Sequence, residues 1–212
     1  MTALTGPYAT RAELKNWLKI PDSKTDRDAE LDRRLLSASE DIIRWCHRPF
    51  GRDDTASTRT FYVGRSGVDI DDFWTTDDFA VVPYLGTMAG TAWDVDTLYL
   101  EPFNGIVDGV PGWPYNRISL GEHGTHPLWV NMFYQSSTVR ITAKWGWAAV
   151  PTNINTACLM LASMDNKAED APFGVAGFGD YAVRIRSNPM AQEKLDSYVK
   201  HGTTANSYMA GS

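Results

Sequence analysis

The chain has 212 residues, a hydrophobic fraction of 43%, 12% aromatics and 22% charged residues, which suffices for a packed core and speaks against global disorder. The net charge of −6 and pI near 5.2 argue against a protein whose task is to grip nucleic acid through a basic surface. They are compatible with one that lets DNA slide past. No apolar run approaches the ~20 residues a membrane span needs. MTALTGPYAT has neither the basic start nor the apolar stretch of a signal peptide, so synthesis and folding in the cytosol are expected.

Two helices open the chain. Thr10 and Glu13 form a capping box, and Leu14, Trp17 and Leu18 give the first helix an apolar face before Pro21 stops it. From about Asp26 to Cys46, Leu31, Leu35, Ala38, Ile42 and Trp45/Cys46 recur at helical spacing. Glu30 and Arg34 add an i,i+4 ion pair of the favoured polarity. His47 follows at the helix end, where capping suits it better than catalysis.

From Thr58 to Trp147 the signals are short alternating runs broken by Gly, Pro, Asp and Asn. Strands are predicted at Thr58–Val63, Val81–Leu85, Thr97–Leu100, Arg117–Leu120 and Thr138–Trp145. In the last, Val139, Ile141, Ala143 and Trp145 share one face, as in a half-buried antiparallel sheet. Most of the eight tryptophans lie here, where a small β-layer needs large side chains.

Helix returns after Pro151, with Thr152 as N-cap and Ile154, Ala157, Cys158, Leu161 and Met164 or Ala162 on the buried face. Ala171-Pro172 ends it. A glycine-rich stretch, 173–179, leads into an extended run at Tyr181–Ile185. Asn188-Pro189 starts a last helix with Leu195, Tyr198 and Val199 as its sparse stripe, stopped by Gly202. The small, polar residues 203–212 are expected to be disordered in isolation. The expected class is α+β: a helical bundle carrying an antiparallel β-rich insertion. Its expected parts are 1–57, 58–150, 151–170 and 171–212.

Candidate chemistry is thin. Glu122, His123 and His126 sit in a Gly- and Pro-containing segment that reads as a solvated turn rather than a metal site, which needs ligands on a shared face. Asp69, Asp71, Asp72, Asp77 and Asp78 fail the EF-hand spacing and read as a solvated loop in which Phe73 and Trp74 pack inward. Gly174, Gly177 and Gly179 follow a helix rather than a strand, so a hinge or linker fits better than a phosphate cradle. Cys46 and Cys158 are expected to be buried free thiols. No catalytic residue, cofactor or metal is expected. An aromatic carbohydrate-binding platform in the β-region is the alternative, and an unrecognised hydrolase using 122–126 is a weaker one.

Several stretches together resemble one family. They are Tyr8-Ala9-Thr10 with Glu13-Leu14; Ile43-Arg44-Trp45-Cys46-His47-Arg48-Pro49-Phe50; Tyr99-Leu100-Glu101-Pro102-Phe103-Asn104-Gly105; and Trp113-Pro114-Tyr115-Asn116-Arg117-Ile118. Trp145-Gly146-Trp147-Ala148-Ala149-Val150-Pro151 and Gly179-Asp180-Tyr181-Ala182-Val183-Arg184 complete the set. In this order they are similar to the head-to-tail adaptors, or head–tail connectors, of long-tailed bacteriophages, in particular of the actinobacterial-phage type. The resemblance spans nearly the whole chain. Residues 58–147 depart from it, because compact members lack or shorten this insertion.

The resemblance implies a structural virion protein of the neck, assembled in the bacterial host cytoplasm. Its implied partners are the portal protein, a neck or tail-completion protein, and further copies of itself in a dodecameric ring. Genomic DNA would pass through the channel without sequence-specific binding. The C-terminal segment carries a slight basic excess, so Tyr181, Arg184, Arg186, Leu195 and Tyr198 are the expected portal or subunit interface. That arm is expected to order on assembly.

Overall fold

The computed structural model describes residues 5–64, 67–119, 137–169 and 181–200. The chain divides into two compact units, 1–51 with 149–201, and 52–148 with 202–212. The class is α+β, as expected.

The first unit is helical. It comprises α1 (Arg11–Leu18), α2 (Asp28–Cys46), α3 (Thr152–Glu169), α4 (Tyr181–Arg186) and α5 (Pro189–Asp196). Thr10 caps α1 through the expected box: its hydroxyl accepts the Glu13 N–H at 3.2 Å while the Glu13 carboxylate accepts the Thr10 N–H at 2.6 Å. Lys15 is buried along its length, ion-paired with Asp28 at 2.5 Å and donating to the Lys24 carbonyl at 2.8 Å. It thereby ties the α1–α2 connection to both helices. The Glu30–Arg34 pair forms.

The apolar stripes of α2 and α3 supply the core. Leu31, Leu35, Ala38, Ile42 and Cys46 meet Ile154, Ala157, Cys158, Leu161 and Ala162, all buried. Three expectations need correction. Trp17 is exposed, since the eight-residue α1 buries only its Leu14 and Lys15 stripe. Thr152 is the first helical residue rather than the cap. Tyr181–Arg186 is helical, not extended, because Ala182 and Ile185 are three apart and Ile185 is fully buried once the segment packs beside α2. Tertiary packing overrides the β-branched alternation there.

Among the described residues, the second unit is a sheet of six strands. In chain order they are β1 (Ser57–Tyr62), β2 (Gly67–Leu85), β3 (Met88–Ala89), β4 (Tyr99–Glu101), β7 (Tyr115–Ser119) and β8 (Ser137–Trp145). The spatial order is β1-β8-β2-β7-β4, with β3 paired to the end of β2. A separate hairpin joins β5 (Ile106–Val107) to β6 (Val110–Pro111). Its turn, Asp108-Gly109, has positive φ at both residues (51° and 79°), the geometry that matches strand twist. As expected, Val139, Ile141, Ala143 and Trp145 of β8 all point into the core.

The largest departure from the sequence reading is β2. The aspartate-rich segment expected as a loop lies inside one 19-residue strand. Its first part pairs with β7, from Gly67 opposite Ser119 to Phe73 opposite Tyr115. Its last part pairs with β8, from Ala80 opposite Thr142 to Leu85 opposite Ser137. Register shifts fall between Asp69 and Phe73 against β7, and between Phe73 and Ala80 against β8, where Phe73 and Thr75 already face Trp145 and Lys144. A bulge adds a residue and flips the facing parity. Val68, Ile70 and Asp72 are therefore buried before it, and Phe73, Phe79 and Val81 after it. Phe73 and Phe79 stack at 4.6 Å across the irregularity. The predicted strand at 97–100 is likewise displaced: a 3-10 turn occupies Val95–Thr97 and β4 begins at Tyr99.

Candidate interaction surfaces

The five residues expected at an interface lie on α4, α5 and the turn after α5. Tyr181 and Arg184 belong to α4, and their side chains fall outside the described residues. Arg186 is exposed, its guanidinium 5.8 Å from the centre of the Trp45 ring. Leu195 is fully buried with Ala191 on the inner stripe of α5. Tyr198 is half-buried, its ring edge-on to Phe50 at 5.7 Å. Burial raises its phenol pKa, partly offset by a hydrogen bond with Asn153.

The apolar side of this segment is thus already placed within its own chain. The Lys200 N–H donates to the Cys46 carbonyl at 2.8 Å, closing the segment onto the end of α2. Asn188 accepts the Ala191 N–H at 3.1 Å as the cap of α5 and donates to the Met164 sulfur at 3.2 Å. Among its described side chains, the segment shows Arg186, Met190, Glu193 and Asp196 to solvent, with Ser187, Pro189 and Ser197, while Lys194 is half-buried.

Polar residues of the core serve packing. His47 ends α2 in the left-handed region, φ 55°, as the capping role requires. Phe50, just beyond, is enclosed by Tyr8, at 5.8 Å and nearly perpendicular, and by Tyr198. Its N–H donates to the Tyr8 hydroxyl at 2.9 Å. Desolvation raises the Tyr8 phenol above its ordinary range. Both cysteines are free and buried, as expected. Burial pushes the Cys46 thiol up to about 12 despite nearby Arg48, and raises Cys158 despite its contact with Ser39. Neither has the lowered pKa of a thiolate nucleophile.

The five aspartates of β2 do not converge. Asp69 pairs with Arg117 at 2.7 Å, Asp71 with Arg59 at 2.6 Å, and Asp78 with Lys144 at 3.0 Å. Asp72 is buried and accepts the Trp147 indole N–H at 3.0 Å. The exposed Asp77 donates its N–H to Thr75 at 3.2 Å. Among the described residues, no group of three or more His, Cys, Asp and Glu is placed to hold a metal. The 122–126 and 173–179 segments lie outside the described residues.

Three of the five described tryptophans of the β unit are core. Trp93, Trp145 and Trp147 are buried, and Trp145 donates to the Ser57 carbonyl at 2.9 Å with Arg59 over its ring. Trp74 is half-buried under Arg52 and donates to the Asp53 carbonyl at 3.1 Å.

The surface that the sequence reading missed is the lobe formed by β4, the 3-10 turn Phe103–Gly105 and the β5–β6 hairpin. Here Tyr99 (56%), Phe103 (59%), Ile106 (46%) and Val110 (56%) are all exposed. Gly105, at φ 63°, anchors the lobe: the Trp113 N–H donates to its carbonyl at 3.0 Å, and a Cβ would lie 2.8 Å from the Trp113 carbonyl oxygen. One signal in the sequence could have found it. Residues 86–116 contain no Lys or Arg but hold Asp94, Asp96, Glu101 and Asp108.

The charge follows the same division. Over its described residues the helical unit has 14 Lys and Arg against 12 Asp and Glu, and the β unit 5 against 11. No described helix is long and apolar enough to cross a membrane.

No family model matches the chain. No curated protein does either. Among solved structures, the chain is similar to one from a structure titled as the neck of an empty GTA particle computed with C6 symmetry. Identity is 16%, coverage 97% of this chain and 96% of that one, and the TM-score 0.49.

Proposed function

We propose that this protein is a head-to-tail adaptor: a structural virion protein that forms a ring on the portal and continues the DNA channel toward the neck or tail-completion protein. The ring would be dodecameric and built in the bacterial host cytoplasm. The observation that carries the reading is that motifs of the adaptor resemblance are the joints of this chain. Tyr8 of the first motif and Phe50 of the second meet in one hydrogen bond and one ring contact. In the β unit, the Trp113 and Trp147 rings of two further motifs pack at 5.1 Å. A set of soft motifs, far apart in sequence, thus describes shared packing rather than unrelated turns.

An acidic β unit suits a protein past which DNA slides, because it offers no counterion-release binding to the polyanion. Arg186, with Tyr181 and Arg184 of the same helix, is the proposed portal or subunit contact; Leu195 and Tyr198 hold that segment in place. The carbohydrate-platform alternative draws less support, since Trp93, Trp145 and Trp147 are interior.

The test is to mix the full chain with the portal protein of the same virus, sediment the mixture and image it. Co-sedimentation, with added ring density on the portal, is the expected result. A chain that stays in the supernatant at micromolar concentrations of both proteins would sink the reading.

A further inference from the structure

Of the two terminal strands of the described sheet, one is protected and the other is not. β4 has three residues, stops at Pro102, and carries Glu101 against Arg117 at 3.8 Å. Shortness, proline and charge are common ways of blunting an edge. β1 has six residues and keeps an unbroken register with β8, from Ser57 opposite Ala143 to Tyr62 opposite Thr138. It contains no lysine, proline or bulge.

Hydrogen-bond alternation tells which groups of β1 face off the sheet. The Gly90 and Trp93 N–H groups donate to the Pro83 and Val81 carbonyls at 2.8 and 2.9 Å, so these two residues of β2 turn their backbone away from β8. Ala80, Val82 and Tyr84 therefore bond to Thr142, Arg140 and Thr138, and the intervening residues of β8 bond to Ser57, Arg59 and Phe61. The backbone N–H and C=O groups of Thr58, Thr60 and Tyr62 are left pointing off the edge. No bond from the described residues reaches them. All three side chains are exposed.

Charge and register select the occupant. The acidic β unit opposes contact between copies, but residues 55–68 and β8 contain no Asp or Glu. Arg59 is the one charged residue of β1, and Asp71 pairs with it at 2.6 Å. Two copies of an acidic chain can thus meet along this edge without repulsion. The strand is also complementary to itself. Antiparallel about a two-fold axis at Thr60, it sets Thr60 opposite Thr60 of the second copy, Thr58 opposite Tyr62, and Arg59 opposite Phe61. The free backbone groups of Thr58, Thr60 and Tyr62 then make about six ladder hydrogen bonds. An axis at Arg59 would oppose two arginines, which is unfavourable across strands. An axis at Phe61 would leave only 60–62 in register.

We propose that two copies of this chain pair through β1, antiparallel about Thr60, into one continuous sheet. The contact is isologous and closes on a pair. It is therefore distinct from the head-to-tail contact of a ring, belongs to the chain before such assembly, and does not rest on the function proposed above.

The experiment follows the full-length chain by sedimentation velocity over a concentration series, with circular dichroism to verify folding. The native chain should form a dimer. Thr60→Lys sets two ammonium groups against each other at the axis. Thr60→Pro removes an N–H that faces off the edge and leaves the bonds to β8 in place. Each should weaken dimerisation at least about tenfold with the fold intact. Thr60→Cys should give a disulfide-linked dimer on mild oxidation, because bonded antiparallel partners hold their Cα atoms ~5.5 Å apart, within disulfide reach. Thr58→Cys, whose position lies opposite Tyr62, should not. Cys46 and Cys158 are buried and do not compete. A native chain that stays monomeric, dimerisation that Thr60→Lys leaves unchanged, or Thr58→Cys cross-linking as readily as Thr60→Cys would each overturn the pairing. All of these outcomes leave the portal co-sedimentation test standing.

Discussion

In the helical unit, the first fifty residues meet the last fifty: Tyr8 and Phe50 enclose one core with Tyr198, and the Cys46 thiol faces the Leu195 carbonyl. In the β unit every described core residue comes from the single stretch 52–148. The two units also differ in charge, the first slightly basic and the second strongly acidic over their described residues. The comparison teaches that damage at the C-terminus strikes the unit containing the N-terminus, and should leave the intervening sheet alone. A segment that reads as a detachable arm is, by its packing, part of the helical core.

Truncation after Phe178 is the severest way to break this contrast. It removes Ile185, Ala191, Leu195 and Tyr198 from the helical unit. Each large core side chain lost costs ~2–5 kcal/mol, so the helical unit should fail to fold cooperatively. Hydrogen exchange read by mass spectrometry should show rapid exchange in α2 with protection retained in β8. Protection of α2 equal to that of the full chain would show that the segment is dispensable, as a loose arm would be.

Trp145→Ala is the converse. It empties a fully buried site and leaves the Ser57 carbonyl without its indole donor. A loss of ~3–5 kcal/mol confined to the β unit is expected. Equal loss of protection in α2 and α3 would mean that the two units unfold as one.

Tyr8→Phe sharpens the account of the helical core. It keeps the ring against Phe50 but removes the oxygen that accepts the Phe50 N–H. Leaving that buried donor unsatisfied should cost ~1–3 kcal/mol. A change below about 0.5 kcal/mol would show that the ring contact alone closes this joint.

The smallest effect is alkaline. The Cys46 thiol is raised from its ordinary 9.0 to about 12 in the folded chain by burial. A raised folded pKa contributes stability that is fully present below the unfolded value and is lost as pH climbs to the folded one. Thermal stability of the helical unit should therefore decline between about pH 9 and pH 12. The decline should be shallower in Cys46→Ala. Identical slopes in the two proteins would remove Cys46 as a contributor.

The contrast also explains what could be read early. Helical spacing along α2 and the period-two run in β8 stated their buried faces outright, because each is a regular element with one face in a core. The capping box at Thr10 and the helix end at His47 were equally local, set by orphan backbone groups within one turn.

Other features depend on partners distant in sequence. Whether 67–85 is two strands and a loop or one bulged strand depends on β7 and β8 pairing with different parts of it, and a bulge erases the periodic signal by switching parity. The six residues of α4 could alternate or wind; Ile185, buried in the helical unit, decides for winding. Trp17 shares helical spacing with Leu14 and Leu18 yet is exposed, because α1 is too short to bury a second stripe. Sequence alone determined which faces must be buried. Only tertiary structure decided what buried them, because burial is a property of surfaces that meet and not of residues in order.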